Sequence, residues 1–489
     1  MRIPVTVVLD APSVLLAAAL AFTPQARPAA AGVSSEDWPR FLGPGGDNTA
    51  GDTNLVARWP AGGLPLVWQR EVGSGYGAPS VLGPHLVLHH RVGGEEVVEG
   101  FEASTGRGIW RHAYPSAFAD PFGYNNGPRS TPLLTAKHCY AYGAEGKLVC
   151  LELLTGRLVW LRETAKDWSV SKPFFGVGST PLLEGDKLIV MVGGQPNSTI
   201  VAFHAGTGRT LWENVGRRTW QGARMFGRRA ETPYQWTGEE KLASYSSPVA
   251  ATIYGRRHIL CLTRQGLVSL NPTNGEVYFS RWFQSPVNES VNAMCPVVWD
   301  DLVLLSAAYY RVGSVLLRVK PDGRSFEEVW RSPVQALERD PVNGRLAPPV
   351  LEVHWNTPVL HEGYLYAFSG RNEPDATFRC VEFKSGKLLW SRDERWHSHS
   401  TARPPVYGRG SAILADGKLI VLGEGGRLGL FSLNPKEPEE ICAWQVPQLR
   451  FPCWTAPVLA HQRLYLRSED RLLCFDLSSD RRASRTRDP

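Results

Sequence analysis

Helical periodicity is nearly absent from this chain of 489 residues. Apolar residues do not recur at three- and four-residue spacing, which excludes a helical bundle. There is no Cys-x-x-Cys and no His/Cys cluster at metal spacing, which argues against zinc. Past the first two dozen residues no apolar run is long enough to cross a bilayer. Charge of one sign is also scarce: 53 basic and 47 acidic residues leave a net +6. Much of that excess lies in Arg481, Arg482, Arg485 and Arg487, which read as a solvated, disordered tail. The balance gives no ground for a nucleic-acid partner. A hydrophobic content of 43% is ample for a core.

The beginning of the chain reads as an export signal. Arg2 opens it, an apolar stretch runs from Val14 to Phe22, and Ala29 and Ala31 form a small-x-small cleavage pattern before Gly32. No Cys precedes Cys139, so the lipid-anchoring Cys of a bacterial lipoprotein is absent. The expected mature protein is exported, periplasmic or extracellular, with no transmembrane segment. Eight cysteines in such a protein invite disulfides. Cys139 with Cys150, and Cys442 with Cys453, stand open as pairs. Cys150, Cys380 and Cys474, however, occupy one repeated position, held elsewhere by Ala202 and Ser269. Free Cys serves there as a small hydrophobe.

What is present is a repeated tag. An apolar-acidic pair, two variable residues, Thr-Gly, and a Trp four residues later read Phe101-Glu102-Ala103-Ser104-Thr105-Gly106 with Trp110. Copies end at Thr155-Gly156 with Trp160 and at Thr207-Gly208 with Trp212. Looser ones end at Gly275 with Phe279 and at Gly386 with Trp390, and degraded ones lead to Trp330 and Trp444. Between tags a Ser/Thr-Pro or Ala-Pro pair opens each unit, as in Thr131-Pro132, Thr180-Pro181 and Ser247-Pro248. Two short apolar strands follow, separated by a turn with Gly or Asp. A third strand leads into the Thr-Gly reversal, and a fourth carries the Trp. Four short antiparallel strands repeated at roughly 40–70 residues are the sequence form of a β-propeller. The large rings are expected to pack between neighbouring blades.

Counting blades by Trp68, Trp110, Trp160, Trp212, Phe279, Trp330, Trp390 and Trp444 predicts an all-β, eight-bladed propeller of four-stranded antiparallel blades. The last unit, ending at Leu472-Leu473-Cys474-Phe475-Asp476, lacks a closing strand. Leu66-Val67-Trp68 is a closing strand with nothing before it. The N-terminal strand is therefore expected to complete the last blade and remove the exposed edges. The expected division is a signal peptide (1–31), an N-terminal extension (32–64), one propeller domain (65–478) and a basic tail (479–489).

The tag, the Ser/Thr-Pro opener and the blade count resemble the quinoprotein-like β-propeller repeat family, named after pyrroloquinoline quinone (PQQ). The similarity runs from Trp38 to Leu477. It includes an Asp37-Trp38-Pro39-Arg40-Phe41-Leu42-Gly43-Pro44 start, similar to that of exported bacterial propellers. The family holds PQQ-dependent dehydrogenases and also proteins that bind no quinone, such as the propeller subunit of the outer-membrane β-barrel assembly machine. The resemblance thus implies either a binding scaffold for a protein, peptide or polysaccharide partner in the cell envelope, or a PQQ- and Ca2+-dependent alcohol or sugar dehydrogenase. The adjacent-Cys disulfide of those dehydrogenases has no counterpart here, nor does a haem Cys-x-x-Cys-His segment.

Candidate site residues come from the connections before each opening Pro. Three residues ahead of that Pro, or of its equivalent, stand Tyr76, Arg129, Gly178, Tyr245, Ala293, Trp355, Arg409 and Trp454. If repeat positions are equivalent in space, these ring the channel mouth. Aromatics would supply stacking faces, and Arg129 and Arg409 planar forks for carboxylates. PQQ, a flat tricarboxylate, would suit such a ring, as would a peptide, a sugar or an anionic polymer. Asn292 and Asn356 lie in the same loops. Glu231 and Asn356 are the candidate oxygen ligands for Ca2+ that the family resemblance asks for. Arg217 to Arg229 reads as a basic lid, and His397 with His399 as a weak metal pair.

Overall fold

The structure, a computed structural model, describes residues 34–170, 175–194, 199–220, 236–237, 240, 242, 244–284, 291–332, 349–397 and 405–479. The expected signal peptide, Glu231, most of the expected basic lid, His399 and the tail from 480 onward lie outside them. Eight four-stranded antiparallel sheets make the ring. Blades 1 to 7 span 80–115, 133–163, 182–214, 249–282, 297–332, 359–393 and 411–445. Blade 8 consists of Val458–Ala460, Arg463–Arg467 and Arg471–Asp476, completed by Leu66–Glu71. Leu66 pairs with Phe475, Trp68 with Cys474 and Glu71 with Arg471. The chain's own beginning closes the ring, as expected. Helix among the described residues amounts to Thr164–Asp167 and two 3-10 turns.

The tag is a latch between blades. Trp is the third residue of a closing strand that runs on past it, as in Gly108–Pro115 and Leu158–Glu163, rather than its last residue. A register shift just before the ring recurs in these strands, for example between Cys150 and Leu151 opposite Trp160 and Leu158. Such a bulge turns the strand and re-aims the side chain. The ring then lies on the tag glycine of the next blade. A Cβ on Gly106 would stand 2.7 Å from Trp68, one on Gly156 2.4 Å from Trp110, and one on Gly208 2.7 Å from Trp160. Each indole N–H also donates to a carbonyl of that next tag: Trp68 to Ala103 (3.0 Å), Trp110 to Leu153 (2.8 Å), Trp160 to Ala205 (2.8 Å). The position directly across from the ring is small in most blades, although Leu316 faces Trp330 in blade 5. Gly100, Cys150, Ala202 and Cys380 lie opposite Trp110, Trp160, Trp212 and Trp390. Blade 7 departs from this pattern: Cys442 holds the ring position, and Trp444, two residues on, stacks against Gly63 of the N-terminal segment.

All eight cysteines are free thiols. Cys139 faces Leu151 and Cys150 faces Tyr140 across the ladder, so the two are offset by one residue. The Cys442 thiol accepts the Trp59 N–H at 3.4 Å, while Cys453 donates to the Arg450 carbonyl at 3.1 Å.

The Ser/Thr-Pro opener forms a belt around the channel. In blades 1 to 5 the backbone N–H before the Pro donates to the side chain at the same place in the next blade. Ala78 donates to Thr131 Oγ1 (3.1 Å), Thr131 to Thr180 Oγ1 (3.1 Å) and Thr180 to Ser247 Oγ (2.8 Å). Ser247 donates to Cys295 Sγ (3.4 Å), and Cys295 to Thr357 Oγ1 (3.2 Å). Thr455 Oγ1 returns to the Tyr76 carbonyl at 3.0 Å. A hydroxyl before Pro satisfies a buried donor that no sheet ladder reaches.

The segment ahead of Trp68 spans one end of the channel. Trp38 bridges Val81 in blade 1, and the Leu134 N–H of blade 2 donates to the Pro39 carbonyl at 2.7 Å. Leu42 enters the core shared by blades 4 and 5. Asn48 Nδ2 donates to the Thr357 carbonyl at 2.8 Å, Thr49 bridges Leu414 of blade 7, and Leu55 bridges Ser478 beyond blade 8. Buried Asp37 anchors the crossing, accepting from Gly83 N (2.7 Å) and pairing with His461 Nε2 (2.9 Å).

Candidate functional site

Above that segment lies a cavity of about 220 Å³. Phe41, Leu42 and Asn48 of the crossing segment contribute to its lining. All eight repeat-register positions, from Tyr76 through Trp454, line it, as does Asn356. The blades bring these residues together because each opening Pro fixes the same short lead into an inner strand. Gly178 and Ala293 leave the space that the larger side chains border.

The rings form a nearly continuous wall. Tyr245 meets Phe175 at 5.4 Å between centroids, Phe175 meets Tyr124 at 6.0 Å, and Tyr124 meets Trp454 at 5.3 Å. Trp454 also touches Tyr76 (5.2 Å) and Trp355 (5.3 Å). Trp355 meets His354 at 4.6 Å, and His354 meets Tyr309 at 5.1 Å. Tyr124, Phe175, Tyr309 and His354 escaped the sequence reading. Tyr124 and Phe175 lie off the repeat register in the connections before blades 2 and 3. Tyr309 sits on an inner turn of blade 5, and His354 is one residue off register.

Both arginines are saturated from within the protein. Arg129 Nη2 pairs with Asp120 Oδ2 at 2.5 Å and Nη1 donates to the Gly127 carbonyl at 2.6 Å. Arg409 Nη2 pairs with Glu424 at 2.9 Å and Glu373 at 2.7 Å, and its guanidinium lies 4.5 Å from the Trp355 ring centre. Glu424, fully buried, also accepts the indole N–H groups of Trp454 (2.9 Å) and Trp396 (3.0 Å). It fixes one wall of the cup. The expected carboxylate forks are thus occupied by the chain's own carboxylates.

Among the described residues the cup lining carries no unpaired charge. Burial, reinforced by Arg409 and Arg371, holds His354 well below the usual imidazole range, so it is neutral. Burial pushes the Tyr245 and Tyr309 phenols up to about 12. Tyr76 is raised by burial and by the Glu469 carboxylate it donates to at 2.8 Å. Asn356 Nδ2 donates to the Gly410 carbonyl at 2.6 Å, and its Oδ1 is buried without a partner. Asn292 stands apart from the cavity lining. Its Nδ2 ties together the carbonyls of Thr263 (2.8 Å) and Phe283 (3.0 Å), which makes it a loop staple.

No cluster of three His, Cys, Asp or Glu suited to a metal occurs among the described residues. No described helix is long and apolar enough to cross a membrane.

Comparison with known proteins places the fold. No curated protein matches the chain. Among solved structures, BamB from Moraxella catarrhalis is 15% identical, with a TM-score of 0.52 over 84% of this chain and 97% of that one. A europium-containing methanol dehydrogenase is 11% identical, with a TM-score of 0.53 over 91% of this chain and 98% of its own. The computationally designed Ika8 protein is 10% identical, with a TM-score of 0.51 over 85% and 100%. At such identities the likeness is one of fold alone. The model of the family described as outer membrane protein assembly factor BamB matches residues 94–347, just over half of the sequence, and the chain belongs to that family of PQQ-like propellers.

Proposed function

We propose that this chain is an exported binding module, and that its cup receives an uncharged ring presented by a polysaccharide or peptide partner in the cell envelope. One observation carries the reading: an aromatic-walled cavity whose two arginines are already paired with internal carboxylates. Aromatic faces contribute dispersion and stacking to any ring, while a saturated guanidinium offers no net charge to an incoming one. The cavity is smaller than the usual range for drug-sized ligands, roughly 300–1,000 Å³, so it fits one ring rather than a whole molecule.

The dehydrogenase reading asks for more than the cup holds. PQQ brings three carboxylates, and its Ca2+ calls for hard oxygen ligands. Among the described residues the cup wall carries no carboxylate, and the orphan oxygen of Asn356 is a single donor. These residues do not fit the pair.

The test is a titration of the full chain with oligosaccharide and aromatic-peptide panels, followed by intrinsic Trp fluorescence. Quenching that is lost in Trp454→Ala is the expected result. No response from either panel, with dye reduction after adding PQQ and Ca2+ in the presence of alcohols or sugars, overturns the reading in favour of the enzyme.

A further inference from the structure

One guanidinium beside the cup is not neutralised. Arg371 lies against two rings inclined to each other at 53°, 4.6 Å from the centre of Tyr309 and 4.7 Å from that of Tyr310. Its backbone carbonyl accepts from Arg409. Its own side chain has no ion pair and no hydrogen bond among the described residues. Tyr309 is buried and lines the cup, whereas Tyr310 is 41% exposed. Arg371 therefore sits at the rim, between the wall and solvent.

The turn that makes this clamp is strained. Tyr310 and Arg311 both adopt left-handed backbone, with φ of 50° and 61°. Two successive non-glycine residues in that region carry backbone strain and persist where the surroundings impose them. Here the strained pair holds the Tyr310 ring over Arg371. Neither ring contact uses the guanidinium N–H groups in a hydrogen bond, and those donors match a carboxylate in a two-pronged contact.

Ring orientation narrows the ligand further. Trp355 and Trp454 are inclined at 52°, Tyr76 and Trp454 at 49°, and Tyr124 and Trp454 at 69°. A flat polycycle needs parallel faces, and these rings form a curved wall instead. A puckered, saturated ring presents C–H groups in several directions and meets several tilted faces at once. Three successive residues, His354, Trp355 and Asn356, also carry buried polar atoms without partners: Nδ1, Nε1 and Oδ1. Hydroxyl groups would supply them with both donors and acceptors.

Resting on the binding-module reading, we infer that the partner is an acidic polysaccharide, with the pyranose ring of a uronic acid residue in the cup and its carboxylate on Arg371. The ring enters uncharged space, and the charge stays at the rim beside Arg371.

The experiment compares a galacturonate trimer with maltotriose, an uncharged trimer of similar size, by calorimetric titration of the full chain. Arg371→Ala and Arg371→Lys are run beside the wild type, with thermal unfolding to verify folding. The wild type is expected to bind the acidic trimer at least about tenfold more tightly than the neutral one, the scale of a charge-assisted contact. Arg371→Ala should abolish that preference, and Arg371→Lys should retain only part of it. Equal affinity for the two trimers, or a preference untouched by Arg371→Ala, overturns the inference and leaves the cup reading standing. Binding of aromatic peptides with no response to either trimer does the same. Silence toward sugars and peptides alike removes both.

Discussion

Replacing Gly106 with Ala should destabilise the ring far more than the same change at Gly417. Both glycines have left-handed backbone, with φ of 71° and 68°. Ala at either place therefore carries a similar conformational cost, about 1–2 kcal/mol. Their surroundings differ. The Gly417 Cβ would meet nothing within 4 Å, whereas the Gly106 Cβ would stand 2.7 Å from Trp68 Cδ2 and 2.8 Å from Cε3. Trp68 is only 8% exposed and donates to the Ala103 carbonyl at 3.0 Å, so it cannot swing aside without losing that bond. Overpacking of this kind costs about 1–3 kcal/mol, and the lost hydrogen bond about 1 kcal/mol more. The gap between the two variants is thus expected at about 2–4 kcal/mol. Urea unfolding followed by Trp fluorescence measures it through the shift in midpoint. Trp68→Phe in the Gly106→Ala background should recover part of the loss, because the smaller ring relieves the contact. If the two single variants unfold within about 0.5 kcal/mol of each other, a figure typical of indifferent surface changes, the latch is not what the glycine is for.

Further expectations follow from the belt, the Glu424 hub and the buried carboxyls. Thr180→Val removes the acceptor for the buried Thr131 N–H and should cost about 1–3 kcal/mol in chemical denaturation; no measurable loss would mean that the belt is incidental. Glu424→Gln breaks a fully buried pair with Arg409 and should cost about 3–5 kcal/mol, with a shift in Trp emission because one of the Trp454 and Trp396 indoles then faces an amide NH2 instead of an accepting oxygen. Unchanged emission would argue against the hub fixing the cup wall. Burial raises the Glu394 and Glu352 carboxyls to about 7. Folded protein then binds more protons than unfolded protein between the ordinary carboxyl range and about 7, so this contribution to stability is full at lower pH and is lost as pH rises through about 7. Glu394→Gln should accordingly raise Tm, relative to wild type, more at pH 8 than at pH 5, and a pH-independent difference would contradict the assignment.

Much of the architecture was legible because each repeat writes its own boundaries. Trp68 without a preceding blade and Cys474 without a closing strand already implied the seam. The candidate ring was legible through register: one position before each opening Pro led to one cavity. What sequence could not show was pairing in space. Arg129 and Arg409 look like open forks until Asp120, Glu424 and Glu373 are placed beside them, and Glu424 lies in a turn of blade 7 that carries no repeat signal. Cys442 holds the ring position of blade 7 and Trp444 lies two residues further on, a displacement that counting blades by their aromatics does not reveal. Arg371 stayed unread since its significance lies in the carboxylate it lacks.

The latch also bears on how such rings change size. Blades 2 and 3 each offer an indole forward and a glycine backward, and their openers both donate to the belt and accept from it. Inserting one whole repeat therefore brings a complete set of keys and locks and strands none of its neighbours. Gain or loss of a blade of that kind leaves the interfaces on either side chemically matched, so curvature, rather than recognition between blades, limits the count. A half-repeat has no such licence. It would leave one indole facing a side chain and one glycine facing solvent.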